Sequence, residues 1–282
     1  MNGAQRPCPT PPGPTDRFAQ LRIPAHWQAV EFISDVHLHS GAAATASVWL
    51  DWLRERHTAP VDALFILGDL FEVWVGDDAL DASEAVCPEA PFLRACADAL
   101  ARLGERIPVY FMAGNRDFLL GRQAADRCGM IILPDPTVLH WRESAWLLSH
   151  GDELCLADVP YQTFRKEVRS PAWQKAFLAR PLTDREAIAR DLRQQSESRK
   201  QHQGHDPSLW ADVDSAAAVQ WLQDARARVL IHGHTHRPAR HSLATDLERW
   251  VLGDWDAEAT LARAEVLRLD PNGLHRLPLK PT

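Results

Sequence analysis

Short apolar runs recur along the chain, and five of them end directly in polar side chains. The runs cover residues 29–34, 63–67, 109–113, 146–149 and 228–231. Runs of this length, in which apolar residues follow one another, are typical of strands buried on both faces of a sheet. The polar residues at or just beyond their ends are Asp35, His37, Asp69, Asn115, His150, His234 and His236.

Helical periodicity appears in segments between the predicted strands. Val48, Trp49, Trp52 and Leu53 would share one face of a helix, and residues 92–103 are also predicted to be helical. Strands that alternate with helices predict an α/β fold built on one principal domain. In such a fold ligands bind at the carboxyl ends of the strands, so the polar residues should converge on one spot.

The converging residue types favour metal ions. Mixed imidazole and carboxylate groups suit Mn, Fe, Zn or Co better than Ca or Mg alone. Seven ligands exceed the needs of one ion with an open position, but they fit two ions about 3.5–4 Å apart that share a bridging carboxylate. Such a pair of ions would clamp a phosphate and generate the hydroxide that attacks phosphorus in line.

Taken one at a time, most of these signals also have a structural explanation. Gly68-Asp69 and Gly114-Asn115 are ordinary turn pairs, and a lone histidine such as His150 is more often a surface or core residue. The run from His232 to His236 is more specific, because alternate histidines after an apolar strand rarely serve packing. The metal hypothesis therefore rests on the occurrence of all five polar clusters, in order, at the ends of predicted strands. Histidines without such context are interpreted as surface or structural residues: His39, His57, His140, His202, His205, His241 and His275.

Composition and charge exclude several classes of protein. The net charge of −7 and the pI near 6.0 argue against a nucleic-acid-binding protein. The five cysteines are scattered and odd in number, which indicates reduced thiols in a cytoplasm. No run of 18 apolar residues and no apolar signal core occur, so no membrane span is expected. Residues 1–27, which are rich in proline, are predicted to form a disordered extension.

The ordered blocks resemble the signature of the calcineurin-like phosphoesterases, which is D-x-H, G-D, G-N-H-D/E, H-G and G-H-x-H. The resemblance implies a four-layer αββα sandwich with a helical lid insertion. It also implies two metal sites that share Asp69 as the bridge. One ion would be held by Asp35, His37, Asp69 and His236, and the other by Asp69, Asn115, His150 and His234.

One departure from that signature concerns the leaving group. The histidine that usually follows the asparagine is replaced by Arg116. An arginine cannot act as an acid at neutral pH, but it can hold a phosphate through two hydrogen bonds. Since a phosphate leaving group is already a stable anion, Arg116 favours cleavage of a pyrophosphate linkage over an alkyl phosphate.

Longer blocks resemble the UDP-2,3-diacylglucosamine pyrophosphatases of lipid A biosynthesis. This resemblance runs from about Phe32 to Trp255 and rests on residues 68–78, 114–118, 150–155 and 232–238. It implies hydrolysis of UDP-2,3-diacylglucosamine to UMP and 2,3-diacylglucosamine 1-phosphate (lipid X), by attack of a metal-bridged hydroxide on the α-phosphorus. Two divalent ions, expected to be Mn²⁺, would serve as cofactors. The expected catalytic residues are Asp69, Asn115, Arg116 and His150.

Residues of about 156–213 carry apolar side chains at helical spacing together with many basic residues. They are consistent with helices that pack on the core and expose a basic face. The resemblance implies instead a lid that receives acyl chains, with basic residues that meet a diphosphate or anionic lipid headgroups. By position, the expected substrate contacts are Asn115, Arg116, Asp158, Ser196 and His234, with Lys200 as a further cation.

The resemblance also sets expectations for organisation and partners. Residues 28–270 would form the phosphoesterase domain, with the lid at about 156–213 and a C-terminal tail at 271–282. A nucleotide-lipid substrate implies a cytoplasmic protein in peripheral contact with the anionic cytoplasmic face of the bacterial inner membrane. No nucleic acid and no obligate protein partner are expected.

Two alternative functions stay open. The first is another metallophosphoesterase that acts on dinucleoside polyphosphates or cyclic nucleotides, although such substrates offer nothing for an apolar lid to bury. The second is a non-catalytic scaffold on the same fold. Scaffolds of that kind lose ligands, and all seven candidates are present in this chain.

Overall fold

Two six-stranded sheets form the centre of the protein. The computed structural model describes residues 6–13, 16–202 and 211–279, without the side chains of residues 195–202. The first sheet runs from edge to edge through β1 (Ala19–Arg22), β6 (Thr137–Trp141), β7 (Ser144–Leu148), β8 (Val229–His232), β10 (Leu247–Val251) and β9 (Ala239–Ala244). The second runs through β12 (Gly273–Pro278), β11 (Glu265–Asp270), β2 (Val30–Ile33), β3 (Ala63–Leu67), β4 (Val109–Met112) and β5 (Met130–Ile132).

Alternating side chains on the buried strands separate the layers. On β3, Phe65 and Leu67 belong to the apolar cluster between the sheets, whereas Leu64 and Ile66 belong to the cluster shared with helices. The helices on that outer side are α1 (Ala43–Arg56), α2 (Ala90–Arg106) and α3 (Arg122–Arg127). The first sheet is covered by α7 (Ser215–Ala225), which packs Trp221 and Leu222 against β6, β7 and β8. The predicted αββα sandwich is confirmed.

The N-terminal segment differs from the prediction. The disordered extension expected over residues 1–27 is wrong for its second part, because β1 pairs in parallel with β6 and forms an edge of the first sheet. Alternation explains the strand: Ala19 and Leu21 are buried, while Gln20 and Arg22 lie on the other side. Residues 1–5 and 14–15 of the predicted extension lie outside the described part of the chain.

The C-terminal tail predicted for residues 271–282 is also wrong for residues 273–278, and its residues 280–282 lie outside the described part of the chain. β12 pairs antiparallel with β11, so residues 273–278 continue the second sheet beyond the predicted domain end at 270. The turn residues are Pro271 and Asn272, between the paired residues Asp270 and Gly273, and Gly273 adopts a φ of +118°. Asp, Pro, Asn and Gly in this order are typical of a β-turn, so this tetrapeptide could have identified the hairpin from the sequence.

Three helices occupy the described residues of the predicted insertion, whose residues 203–210 lie outside the described part of the chain. They are α4 (Val159–Val168), α5 (Pro171–Leu178) and α6 (Leu182–His202). Arg185 on α6 fastens them to the core, since its buried guanidinium donates to Val75 O at 2.5 Å and to Asp78 Oδ1 at 3.0 Å. Apolar contacts of Trp173 and Phe177 with the core add to this anchor. No helix in the described residues combines the length and the apolar character needed to cross a bilayer.

Candidate metal centre

The ends of five strands from both sheets meet at one place, which gathers the polar residues that the sequence singled out. Asp35, Asp69 and Asn115 follow β2, β3 and β4 of the second sheet. His150 and the histidines after β8 come from the first sheet. The cluster therefore lies at the seam between the sheets, where segments distant in sequence come together.

One group of potential ligands consists of Asp35, His37 and His236, whose ligand atoms lie within 4.8 Å of one another. Asp35 Oδ1 is 3.3 Å from His236 Nε2 and 3.9 Å from His37 Nε2. The two imidazole Nε2 atoms are 3.3 Å apart. Three potential ligand atoms this close together are the arrangement that one face of a metal coordination sphere requires.

A second group consists of Asp35, Asp69 and His150, all of them buried. Asn115 Oδ1 completes this side, at 2.9 Å from His150 Nε2 and 2.8 Å from His234 Nδ1. Asp69 stands between the groups: Oδ1 is 3.7 Å from His150 Nε2, and Oδ2 is 4.0 Å from His37 Nε2. All seven predicted ligands thus gather in one cluster, and their individual roles as ligands stay predictions.

The electrostatics of the cluster suit a bound cation. Burial lowers the pKa of His150, but the carboxylates of Asp69, Asp152 and Asp35 outweigh it and raise that pKa to about 9. Burial raises the pKa of Asp35, yet nearby imidazoles, His236 above all, hold it well below the ordinary value. Asp35 Oδ1 is fully buried and accepts no hydrogen bond from the described residues. A buried carboxylate oxygen without a donor is costly unless a cation is its partner.

The backbone at the cluster adopts conformations that few side chains tolerate. Five of the seven candidate ligands have positive φ values, between 52° and 68°: Asp35, His37, Asp69, His234 and His236. Left-handed backbone at non-glycine residues costs free energy and collects at functional sites. The recurrence of this conformation indicates that the fold maintains the direction of these side chains at the expense of stability.

Asp117 holds two of the strand-end loops together, a role that the sequence reasoning missed. Its buried carboxylate accepts from the backbone N–H groups of Leu70 at 2.8 Å and Gly114 at 2.8 Å. Burial and the neighbouring Asp69 raise the pKa of Asp117 to about 6. The residue stands two positions after Asn115, so its place in that block was the available signal.

Glu72 is a second missed residue, and it orients His37. Glu72 Oε2 lies 2.9 Å from His37 Nδ1, which leaves Nε2 of the ring pointing into the cluster. Burial raises the pKa of Glu72, but His37 and Arg116 lower it to about 2, so the carboxylate is charged at neutral pH. A carboxylate behind a histidine of this kind fixes the tautomer and raises the basicity of a ligand.

Gly114 provides a direct test of how closely the loops approach. An added Cβ would collide with Oδ1 and the backbone nitrogen of Asp69. We expect Gly114→Ala to destabilise the fold by about 2 kcal/mol, which lowers Tm by roughly 4–8 °C, and to weaken Mn²⁺ binding. Thermal melting and metal titration measure the two effects. Gly13→Ala, whose methyl would meet only the Asp16 carboxylate, is the matched control, and equal behaviour of both variants would contradict the expectation.

The predicted substrate contacts divide into three cases. Arg116 lines a cavity of about 400 Å³ together with Asn115 and His234. Asp158 is exposed and caps α4, because its Oδ1 accepts from Tyr161 N at 3.1 Å. Ser196 and Lys200 lie on α6, and their side chains are outside the part of the chain that the structure describes.

Known proteins resemble this chain over most of its length. Residues 30–238, which include all seven candidate ligands, match the calcineurin-like phosphoesterase family. A UDP-2,3-diacylglucosamine hydrolase of Aromatoleum aromaticum is 46% identical over 236 residues, which cover 82% of this chain and 91% of the relative. Relatives of the same name from Chromobacterium violaceum and Xanthomonas oryzae pv. oryzae are 43% and 44% identical, cover 89% and 86% of this chain, and are themselves covered over 99% and 96%.

Proposed function

The chain belongs to the calcineurin-like phosphoesterase family, and from this premise we propose that it hydrolyses the pyrophosphate bond of UDP-2,3-diacylglucosamine. The products would be UMP and 2,3-diacylglucosamine 1-phosphate. The observation that carries the proposal is an arginine, Arg116, at the rim of the metal cluster, where it lines the cavity. The substrate named for relatives that are 41–46% identical to the chain agrees with it.

Arg116 suits a leaving group that needs no proton. Its backbone N–H donates to Asp69 Oδ1 at 2.8 Å, so the residue is tied to the cluster whatever its side chain does. Its guanidinium has five donors and stays charged at neutral pH. Held against a phosphoryl group, it would stabilise the charge that develops in the transition state.

A second guanidinium lies near the first. Arg116 Nη1 and Arg193 Nε are 3.7 Å and 3.3 Å from the same atom, Glu72 Oε1. Arg193 belongs to α6, so the insertion contributes a positive charge next to the cluster. Two arginines beside the cluster suit a diphosphate, which offers an anionic group to each.

We further propose two divalent cations, with Mn²⁺ as the native ion, as the cofactors of this site. The donor set of imidazole, carboxylate and amide oxygen fits such ions. When bound, they would polarise the phosphoryl oxygens and lower the pKa of water. The chain itself orients the ligands: Glu72 fixes His37, and Leu67 O lies 2.9 Å from His150 Nδ1, so each ring presents Nε2 to the cluster.

We propose that residues 156–213 act as a lid that meets the lipid part of the substrate. Apolar side chains are exposed on this insertion at Leu156, Val159, Phe164 and Leu178. Exposed lysines on the same helices, Lys166 and Lys175, would favour the anionic cytoplasmic face of the bacterial inner membrane. The protein would then work in the cytoplasm in peripheral contact with that membrane.

Hydrolysis in ¹⁸O-labelled water tests the proposal. UDP-2,3-diacylglucosamine is incubated with the protein and Mn²⁺, and the products are read by mass spectrometry. We expect turnover and label in UMP, which reports attack on the α-phosphorus. The Asp69→Ala protein prepared in the same way controls for contaminating phosphatases. Label in the sugar phosphate would reverse the leaving group, and no turnover beside rapid cleavage of a dinucleoside polyphosphate would refute the substrate.

A further inference from the structure

Three residues on one face of α4 point toward the cluster. Tyr161, Arg165 and Arg169 are spaced four residues apart, so they lie above one another along the helix, and Arg169 is its C-terminal cap. We call these three residues the α4 stripe. They are part of the predicted lid, yet each contacts a loop that carries candidate metal ligands rather than open space.

The stripe converges on the buried carboxylate of Asp152, two residues after His150. Tyr161 donates its hydroxyl to Asp152 Oδ2 at 2.5 Å, and Arg165 Nε donates to the same oxygen at 2.9 Å. Arg169 Nη2 lies 3.8 Å from it. Asp152 is fully buried, and the two arginines of the stripe supply part of the compensation of its charge alongside His150.

The two ends of the stripe reach two other ligand loops. Arg169 Nη2 donates to Gly114 O at 2.8 Å, directly before Asn115, and the guanidinium lies over the Phe118 ring at 5.1 Å. At the other end, the Tyr161 ring stacks on the His234 ring, with centroids 5.9 Å apart and an interplanar angle of 28°. The loops of Asn115, His150 and His234 are therefore all contacted by one helix.

We propose that Tyr161, Arg165 and Arg169 are positioning residues for the half of the metal centre that contains Asn115, His150 and His234. The stripe couples the placement of the lid to the geometry of that half. The other half, with Asp35, His37 and His236, receives no contact from the stripe among the contacts described above. The inference rests on the two-cation centre of the proposed function, but not on the identity of the substrate.

Charge and positioning predict opposite effects for Arg169. Loss of a positive charge close to a cation site tightens binding if simple electrostatics dominates. Loss of a group that orients ligands weakens metal binding, commonly by 10- to 100-fold. Arg169→Met removes the charge and both polar contacts while it preserves length, so the sign of the change separates the two explanations.

The test is a calorimetric titration of the metal-free protein with Mn²⁺ and no other ligand, which measures the number of bound ions and the affinity of each. We expect the unsubstituted protein to bind two ions, and Arg169→Met to weaken one of them by roughly tenfold while the other is unchanged. Tyr161→Phe keeps the ring on His234 and the net charge, and it should weaken the same ion by a smaller factor. Lys166→Met, an exposed neighbour on α4, removes the same charge and should change neither.

Combining Arg169→Met with the loss of a ligand from either half of the metal centre shows which half the substitution affects. In a His37→Ala protein Arg169→Met should still weaken the remaining ion, whereas in a His150→Ala protein it should have no effect. Unchanged or tighter binding in Arg169→Met, or equal weakening of both ions, would overturn the inference. A single ion in the unsubstituted protein would refute the two-cation centre and the inference with it. An unexpected substrate, by contrast, would leave this titration unaffected, because the titration contains none.

Discussion

Replacement of Asp69 by alanine is expected to lower the rate of hydrolysis by roughly 10³-fold, since the loss of a metal bridge removes several kcal/mol of transition-state stabilisation. Asp69 approaches ligand candidates of both groups, with Oδ1 at 3.7 Å from His150 Nε2 and Oδ2 at 4.0 Å from His37 Nε2. Its side chain is buried, so water cannot easily take its place. Initial rates with saturating Mn²⁺ measure the effect.

The lower rate of hydrolysis in Asp69→Ala should result from the missing ligand in the cluster and not from unfolding of the protein. Asp69 lies beside Asp117, and together with burial it raises the pKa of that carboxyl to about 6. Removal of one of two adjacent buried carboxylates relieves repulsion, so we expect Tm to change little. Asp81→Ala, which removes an exposed aspartate outside the cluster, is the matched control. A near wild-type rate of Asp69→Ala with two ions bound would disprove the bridging role.

Replacement of Arg116 by histidine is expected to weaken substrate binding and to leave metal uptake intact. The loss of a charge-assisted contact to phosphate corresponds to about 2 kcal/mol, or roughly 30-fold in KM. Metal uptake should survive because the hydrogen bond to Asp69 Oδ1 comes from the backbone of Arg116 and not from its side chain. Steady-state kinetics and metal analysis of the same preparation measure both quantities.

An exposed arginine serves as the control for Arg116→His, and two results would contradict the expected role of Arg116. Arg122→His changes an arginine whose side chain is 90% exposed, and it should keep the parental KM. If Arg116→His lost an ion, the guanidinium would have a role in shaping the cluster that the backbone contact does not explain. If KM stayed constant while kcat fell, the arginine would act in the transition state only.

The sequence predicted the residues of the candidate site more completely than it predicted the strands near the two ends of the chain. Each ligand candidate lies at or just beyond the end of an apolar run, and the topology rule for strand ends brings those positions together without any knowledge of side-chain geometry. β1 and β12 were missed because edge strands are short and half exposed, so they lack a continuous apolar run. In β1 the prolines nearby hid an alternation that was present, whereas β12 has no alternation of buried and exposed side chains.

Local pattern by itself determined an α/β fold and the order of the polar blocks, because period and residue type are properties of consecutive positions. The αββα layers and the exchange of a histidine for Arg116 came from the resemblance of those blocks to the signature of a known family. Only the tertiary structure decided which distant groups meet. The close contact of Glu72 with His37, the hydrogen bonds of Asp117 to two loops and the contacts of the α4 stripe with Asp152 each join residues that no periodicity relates. Such contacts require distances of about 3 Å between atoms of separate elements. Those distances are set by how the two sheets and the insertion pack together.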